Sequence, residues 1–350
     1  MSCINCTSIP EIPSGVQRVH INAAHDYILD RVIELLTREN LSPAIGLAYA
    51  TVVTDDFSTL INRLGADGGF TSLEKENISI LPLHLAQALS FGEIRKAKNL
   101  DSWLTLLHAG DLVHVLSNNA MEIHFQPIID VHKMTIHGYE CLGRGLLADG
   151  RMMPPGTMFK MAHKTGLLFN LDRQCREAAI RQAVAKQVEG QIFINFLPSA
   201  IYNPEFCLRD TVRWIEELHL DPQRIVFEVV ETEAVSDIDH LKRILHFYKK
   251  SGFGTALDDV GSGYASLNLF ALLQPNVLKI DMDLVRDIHI TEVKQAIVRA
   301  LKVLAQSAGT KILAEGIEAE AEFNWLNDLG IDYAQGYYFG KPSATPQRVL

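Results

Sequence analysis

From Met121 to the C-terminus, short apolar runs alternate with helical patterns, and this alternation restricts the fold more than any other feature of the chain. The runs are Ile192-Phe193-Ile194, Ile225-Val226-Phe227, Thr255-Ala256-Leu257, Val277-Leu278 and Lys311-Ile312-Leu313-Ala314. Each is short and flanked by turn or cap residues, as buried parallel strands are. Between them, Val293, Ala296, Ile297, Ala300, Leu301 and Leu304 follow helical spacing, and Gly309 stands where that helix should stop. Ile238, Leu241, Ile244, Leu245 and Tyr248 repeat the pattern, with Ser236 and Asp239 as a capping box and Gly252 beyond the end. Repeated strand–helix units predict an α/β fold, a closed (β/α)8 TIM-like barrel. The rival is a doubly wound open sheet, but no G-x-G-x-x-G follows a strand.

The first part of the chain reads differently. Strands are expected at Val16 to Ile21 and at Ala44 to Val53, and helices at Asp26 to Arg38 and Phe57 to Leu64. Helical segments around Leu83 to Lys98 and Ser102 to Leu116 are expected to join this part to the barrel. The division is a small, regulatory α/β domain over 1–100, a helical linker over 101–120 and the barrel over 121–350.

Composition narrows the setting. Of 350 residues, 47% are hydrophobic and 21% charged, which suits a globular protein with a sizeable core. A net charge of −10 argues against a bulk electrostatic hold on DNA or RNA, while leaving room for a small anionic ligand beside local cations or metals. The apolar stretch Ile45 to Val53 is too short to span a bilayer, and Met1-Ser2-Cys3 opens no secretory signal. Five scattered cysteines suggest a reducing, cytoplasmic setting.

The chemistry lies where each strand stops. The run at Gln191 ends at Asn195, Ile225–Phe227 ends at Glu228, and Thr255–Leu257 ends at Asp258-Asp259. Val277-Leu278 leads into Lys279, with Asp281 two residues on; the last two strands end at Glu315 and Gln335. In a barrel these ends face one mouth. Carboxylates gathered there repel one another unless they are protonated or bound to cations. The donors are all oxygen, with no Cys or His among them, which favours Mg²⁺ or Mn²⁺ over Zn²⁺. The pair Asp258-Asp259 suits two bridged ions, and two-metal hydrolysis of a phosphoester is the chemistry expected. Lys279 would orient the nucleophilic water or offset developing negative charge.

The same residues resemble the EAL family. Glu140-Cys141-Leu142 stands in the place of its signature, within Gly138-Tyr139-Glu140-Cys141-Leu142-Gly143-Arg144, and Phe125-Gln126-Pro127-Ile128 is similar to its opening strand. Asp258-Asp259-Val260-Gly261-Ser262-Gly263-Tyr264, Leu278-Lys279-Ile280-Asp281, Ala314-Glu315-Gly316-Ile317-Glu318 and Gln335-Gly336-Tyr337-Tyr338-Phe339-Gly340-Lys341-Pro342 follow in the family's order. The resemblance implies hydrolysis of cyclic di-GMP to linear 5′-pGpG with two Mg²⁺ or Mn²⁺ ions, in bacterial second-messenger signalling. It implies that Glu140, Asn195, Glu228 and Asp258 bind one metal, that Asp258 and Asp259 bind the other with Glu315 near it, and that Lys279 contacts the catalytic water. Gln335 completes the polar set. Glu231 anchors the loop after Asp259, while Gln126, Arg144, Asp281, Glu318 and Tyr337 contact substrate. A homodimer through the barrel is also implied.

Three departures stand out. Cys141 replaces a small aliphatic residue, Gly143 and Gly145 stand where the family often has a bulky apolar residue and Trp, and Val260 replaces Phe. Two further readings compete: a catalytically inactive cyclic di-GMP receptor, which typically lacks metal-binding acids, and a barrel enzyme acting on another phosphoester. Cys3-x-x-Cys6 has no second C-x-x-C partner, and the thirteen histidines show no tight metal spacing.

Overall fold

The computed structural model of the protein describes residues 9, 12–66, 68–230, 237–261 and 266–349. Ser262, Gly263 and Tyr264, Glu231, Ser236, Cys3 and Cys6 lie outside the described residues.

The N-terminal part is a five-stranded sheet: β1 (Gln17–Ala23), β2 (Ala44–Ile45), β3 (Tyr49–Thr54), β4 (Ile78–His84) and β5 (Lys98–Asn99). The order is β2-β3-β1-β4-β5, and every pairing is antiparallel. Val19, Ile21, Ala50, Val52, Ile78 and Ile80 are buried, and the helices Asp26–Arg38 and Phe57–Gly65 contribute Ile28, Val32, Leu36, Leu60 and Ile61 to the same core. This is the one-faced alternation of a strand covered on one side.

Two expectations need correction here. Ala44 to Val53 is not one strand, because the chain reverses at Gly46, whose N–H donates to the Tyr49 carbonyl at 2.8 Å. Leu83 to Lys98 is not a helical segment: Leu83 belongs to β4, and only Phe91–Ile94 within that span is α-helical. Phe91 and Ile94 are exposed there, so no apolar stripe supports a longer helix. By contrast, Leu100–His108 and Gly110–Ser117 are helices. Trp103 ties the first of them to the sheet, its indole N–H donating to the Ile80 carbonyl at 3.1 Å.

The second sheet comprises β6 (Met121–Asp130), β7 (Thr135–Leu146), β8 (Met152–Met153), β9 (Gln191–Phe196), β10 (Ile225–Val230), β11 (Gly254–Val260), β12 (Val277–Ile280), β13 (Lys311–Ala314) and β14 (Tyr333–Gln335). Its order is β6-β14-β13-β12-β11-β10-β9-β7-β8, and β6 also pairs with β7, so all but the short β8 close into a barrel. The expected TIM-like barrel is therefore present with one difference. β6 runs antiparallel to both its neighbours, because it forms a hairpin with β7 instead of connecting through a crossover helix.

The outer helices close as their sequences require. Glu292–Ala308 ends at Gly309 in the left-handed region, φ 68°, as expected. Ile238–Lys250 is capped by Asp237, whose side chain accepts from the His240 N–H at 2.8 Å; the expected capping box involves Ser236, which lies outside the described residues. No helix among the described residues is long and apolar enough to cross a membrane.

Candidate functional site

The barrel lumen is built in layers by the period-2 geometry of its strands. Ile128, Phe193, Val226, Ala256, Val277 and Leu313, with Tyr333 against them, form a buried cluster of their own, with each residue from a different strand. Two residues further along the parallel strands, on the same face, stand Asn195, Glu228, Asp258, Lys279, Glu315 and Gln335. On the antiparallel β6 the step runs backwards, from Ile128 to Gln126. β7 contributes Glu140, directly across the ladder from Gln126. An apolar floor thus lies beneath a polar layer.

Lys279 sits at the centre of that layer with 1% of its side chain exposed. Its Nζ lies 2.6 Å from Glu315 Oε1, 2.9 Å from Glu228 Oε1, 3.0 Å from Asp258 Oδ1 and 3.9 Å from Glu140 Oε2. Two amides orient Glu140: Asn195 Nδ2 donates to Oε1 at 2.9 Å, and Gln335 Nε2 donates to Oε2 at 2.7 Å.

Adjacent strand residues normally point to opposite faces, yet ligand oxygens of Asp258, Asp259 and Glu315 lie within 4.8 Å of one another. The register between β11 and β12 is irregular between Leu257 and Val260, and Asp259 takes φ 57°. This bulge turns both aspartates toward the mouth.

The electrostatics follow from burial. Burial pushes Glu228 and Glu315 well above the usual carboxylate range; Lys279 opposes this, and the neighbouring acids add to it. Asp258 is raised for the same reasons. Asp259 is pushed up to about 6, by burial first and the Asp258 charge second. Burial would depress Lys279, but Asp258, Glu140, Glu228 and Glu315 hold it well above its ordinary value. One ammonium faces four carboxyl groups, so the layer has more acid than its own cation balances.

That imbalance fits divalent cations, and so do the donors. Glu228 Oε2 and Gln335 Oε1 are buried without a hydrogen-bond partner among the described residues, leaving oxygen lone pairs directed into the site. An all-oxygen set suits Mg²⁺ or Mn²⁺.

The other expected residues spread outward from this centre. Gln126 is buried in β6, facing the Glu140 position. Arg144 is half-buried, four residues beyond Glu140 on the same face of β7, with Nη1 donating to the Gly143 carbonyl at 2.9 Å. Asp281 caps the helix Met282–Val285, accepting from the Asp283 N–H at 2.7 Å. Glu318 pairs with Arg286 at 2.7 Å, and Tyr337 is exposed beneath the Lys341 ammonium at 5.1 Å. The Gly145 departure has a packing reason. A Cβ there would lie 2.9 Å from both Val115 Cγ2 and Met158 Sδ, so the helix Gly110–Ser117 occupies the space a side chain would need.

Sequence reasoning missed two buried charged groups near the site. Glu322 is buried and accepts three backbone N–H groups, from Asp287 at 2.9 Å, Glu318 at 3.0 Å and Ala319 at 3.1 Å. Asp172 and Arg176, four apart in the helix Leu168–Ala185, form a buried ion pair beside β9. Their i, i+4 spacing was the available signal.

Comparison with known proteins places this geometry. The family described as "EAL domain" matches residues 109–342. MucR of Pseudomonas aeruginosa, named a bifunctional diguanylate cyclase/cyclic di-GMP phosphodiesterase, is 31% identical over 262 residues, covering 73% of this chain and 38% of MucR. The chain thus spans well under half the length of that curated relative. A standalone EAL protein from Vibrio cholerae O395, solved with c-di-GMP bound, is 39% identical with a TM-score of 0.58, covering 64% of this chain and 92% of that one. BlrP1 of Klebsiella pneumoniae, solved as a manganese/cy-diGMP complex, shares the fold over 94% of this chain and 96% of its own, with a TM-score of 0.59 at 21% identity.

Proposed function

Because the chain belongs to the EAL-domain family, we propose that it hydrolyses cyclic di-GMP to linear 5′-pGpG with two Mg²⁺ or Mn²⁺ ions, in bacterial second-messenger signalling. The observation that carries this reading is the unbroken polar layer of acids and amides. Glu140, Asn195, Glu228, Asp258, Asp259 and Glu315 all stand at one end of the barrel, with Lys279 among the acids. The substrate named for MucR and for the Vibrio structure supports it.

Glu140, Asn195, Glu228 and Asp258 would hold one ion, and Asp258, Asp259 and Glu315 the other. Bound there, the ions would supply an activated water and stabilise both oxygens of an in-line displacement at phosphorus. Gln335 and Asn195 keep the Glu140 carboxylate in one rotamer. Lys279 stays protonated and stands ready to orient the water or offset developing charge. Arg144 offers a guanidinium to a phosphate. Gln126, Asp281, Glu318 and Tyr337 contact the rest of the substrate.

The division into an N-terminal regulatory domain, a helical linker and a barrel is part of the same reading. It is supported by the first sheet ending at Asn99 and the second beginning at Met121. A homodimer through the barrel is supported by the exposed apolar side chains of Leu267 and Leu272 in the helix Ser266–Leu273 and of Ile290, Val293 and Ile297 just before and within the helix Glu292–Ala308. Cys141, Cys175 and Cys207 are free, which supports a cytoplasmic setting.

The test is turnover of cyclic di-GMP with Mn²⁺, with and without EDTA, followed by separation of the nucleotides. Linear pGpG that disappears on chelation is the expected result. Binding without turnover in Mn²⁺ would make the protein a receptor instead.

A further inference from the structure

The most deeply buried charge outside the polar layer is Arg176, with none of its side chain exposed, paired with Asp172 at 2%. Both Arg176 Nε and Nη2 donate to Asp172 Oδ2, at 3.0 and 2.8 Å, and Nη1 donates to Thr211 Oγ1 at 2.5 Å. Asp172 is therefore held in one orientation by a planar fork that is itself tied to a second helix, Arg209–Glu217. Its other oxygen, Oδ1, accepts from the Leu197 backbone N–H at 3.0 Å.

Leu197 is the first residue beyond β9 and lies two positions after Asn195. The ladder between β7 and β9 stops at Ile194, one residue short of Asn195, while the ladder to β10 continues to Phe196. The segment carrying Asn195 is thus paired with β10 but not with β7, the strand that carries Glu140. Yet Asn195 Nδ2 must reach Glu140 Oε1 at 2.9 Å.

A buried ion pair adds little stability compared with apolar residues of the same size, so stability alone does not account for this one. What it does supply is a fixed anchor. We propose that Asp172, locked by Arg176, is a positioning residue: through the Leu197 N–H it holds the end of β9 so that Asn195 keeps Glu140 in place for a divalent cation. The proposal rests on the metal-binding reading above.

The experiment compares two double variants by calorimetric titration of the full chain with MnCl₂, with melting followed in parallel. Asp172→Asn with Arg176→Met removes the ion pair but keeps a carbonyl acceptor for the Leu197 N–H. Asp172→Leu with Arg176→Met removes both. The Leu variant is expected to bind Mn²⁺ at least about tenfold more weakly than the Asn variant, the scale seen when outer-shell partners of metal ligands are lost. Equal affinities in the two variants, whether both weakened or both like the parent, would overturn the proposal. If the Leu variant does not fold, Asp172→Ala replaces it with the same expectation. An unmutated chain that binds no Mn²⁺ would overturn the metal reading itself, and this proposal with it.

Discussion

The Lys279 ammonium lies 2.6 Å from a carboxylate oxygen of Glu315, the first residue beyond the neighbouring strand of the barrel. It also touches Glu228 and Asp258, so one side chain draws three strand ends together. Lys279→Met would leave these acids facing one another, and breaking a buried pair in this way costs about 3–5 kcal/mol. The variant should melt well below the parent without metal, and Mn²⁺ should raise its melting temperature more than the parent's. Equal Mn²⁺ shifts in the two proteins would contradict this account.

Glu140 accepts from both Asn195 and Gln335. Glu140→Ala should abolish hydrolysis while circular dichroism still reports a folded barrel, because the loss falls in the polar layer rather than on the apolar floor. Substantial residual turnover would reject the assignment of Glu140 to the metal.

Ca²⁺ should replace Mg²⁺ or Mn²⁺ poorly. It takes longer bonds and more ligands, which would spread carboxylates held as closely as Asp258, Asp259 and Glu315. Initial rates in each cation decide the matter, and a full rate in Ca²⁺ would refute the expectation.

Gly145 has no room for a side chain against Val115 and Met158. Gly145→Val should destabilise the protein by about 1–3 kcal/mol through overpacking. Adding Val115→Ala should recover part of that loss, a coupling that denaturant titration of the four proteins in the cycle would measure. Strict additivity would mean that the two positions do not share the space.

Glu322 makes stability depend on pH. Burial alone would raise its pKa, but backbone N–H groups of Asp287, Glu318 and Ala319, together with Arg286, hold it below the ordinary 4.5. Its contribution is therefore present above 4.5 and is lost as pH falls through the lowered folded value. Glu322→Gln should lower stability at neutral pH and leave less to lose in acid. Parallel acid-unfolding curves for parent and variant would count against this.

Much of the site is legible in the sequence. Period 2 within each strand fixes which residues share a face, so the recurrence of Asn195, Glu228, Asp258, Lys279, Glu315 and Gln335 after apolar runs already marked one polar rim. Helix ends such as Gly309 were equally readable, because the left-handed conformation there is a local property of glycine.

What the sequence by itself determined, then, was the local periodicity, the residue types of the rim and the kind of cation they suit. The tertiary structure alone decided the antiparallel course of β6, the bulge that aims both Asp258 and Asp259 at one point, the division of Ala44–Thr54 into two strands, and the anchoring of Leu197 by Asp172. Strand direction, register and anchoring depend on which distant segments come to lie side by side. Those contacts are settled by how the whole chain packs, and short-range patterns carry no record of them.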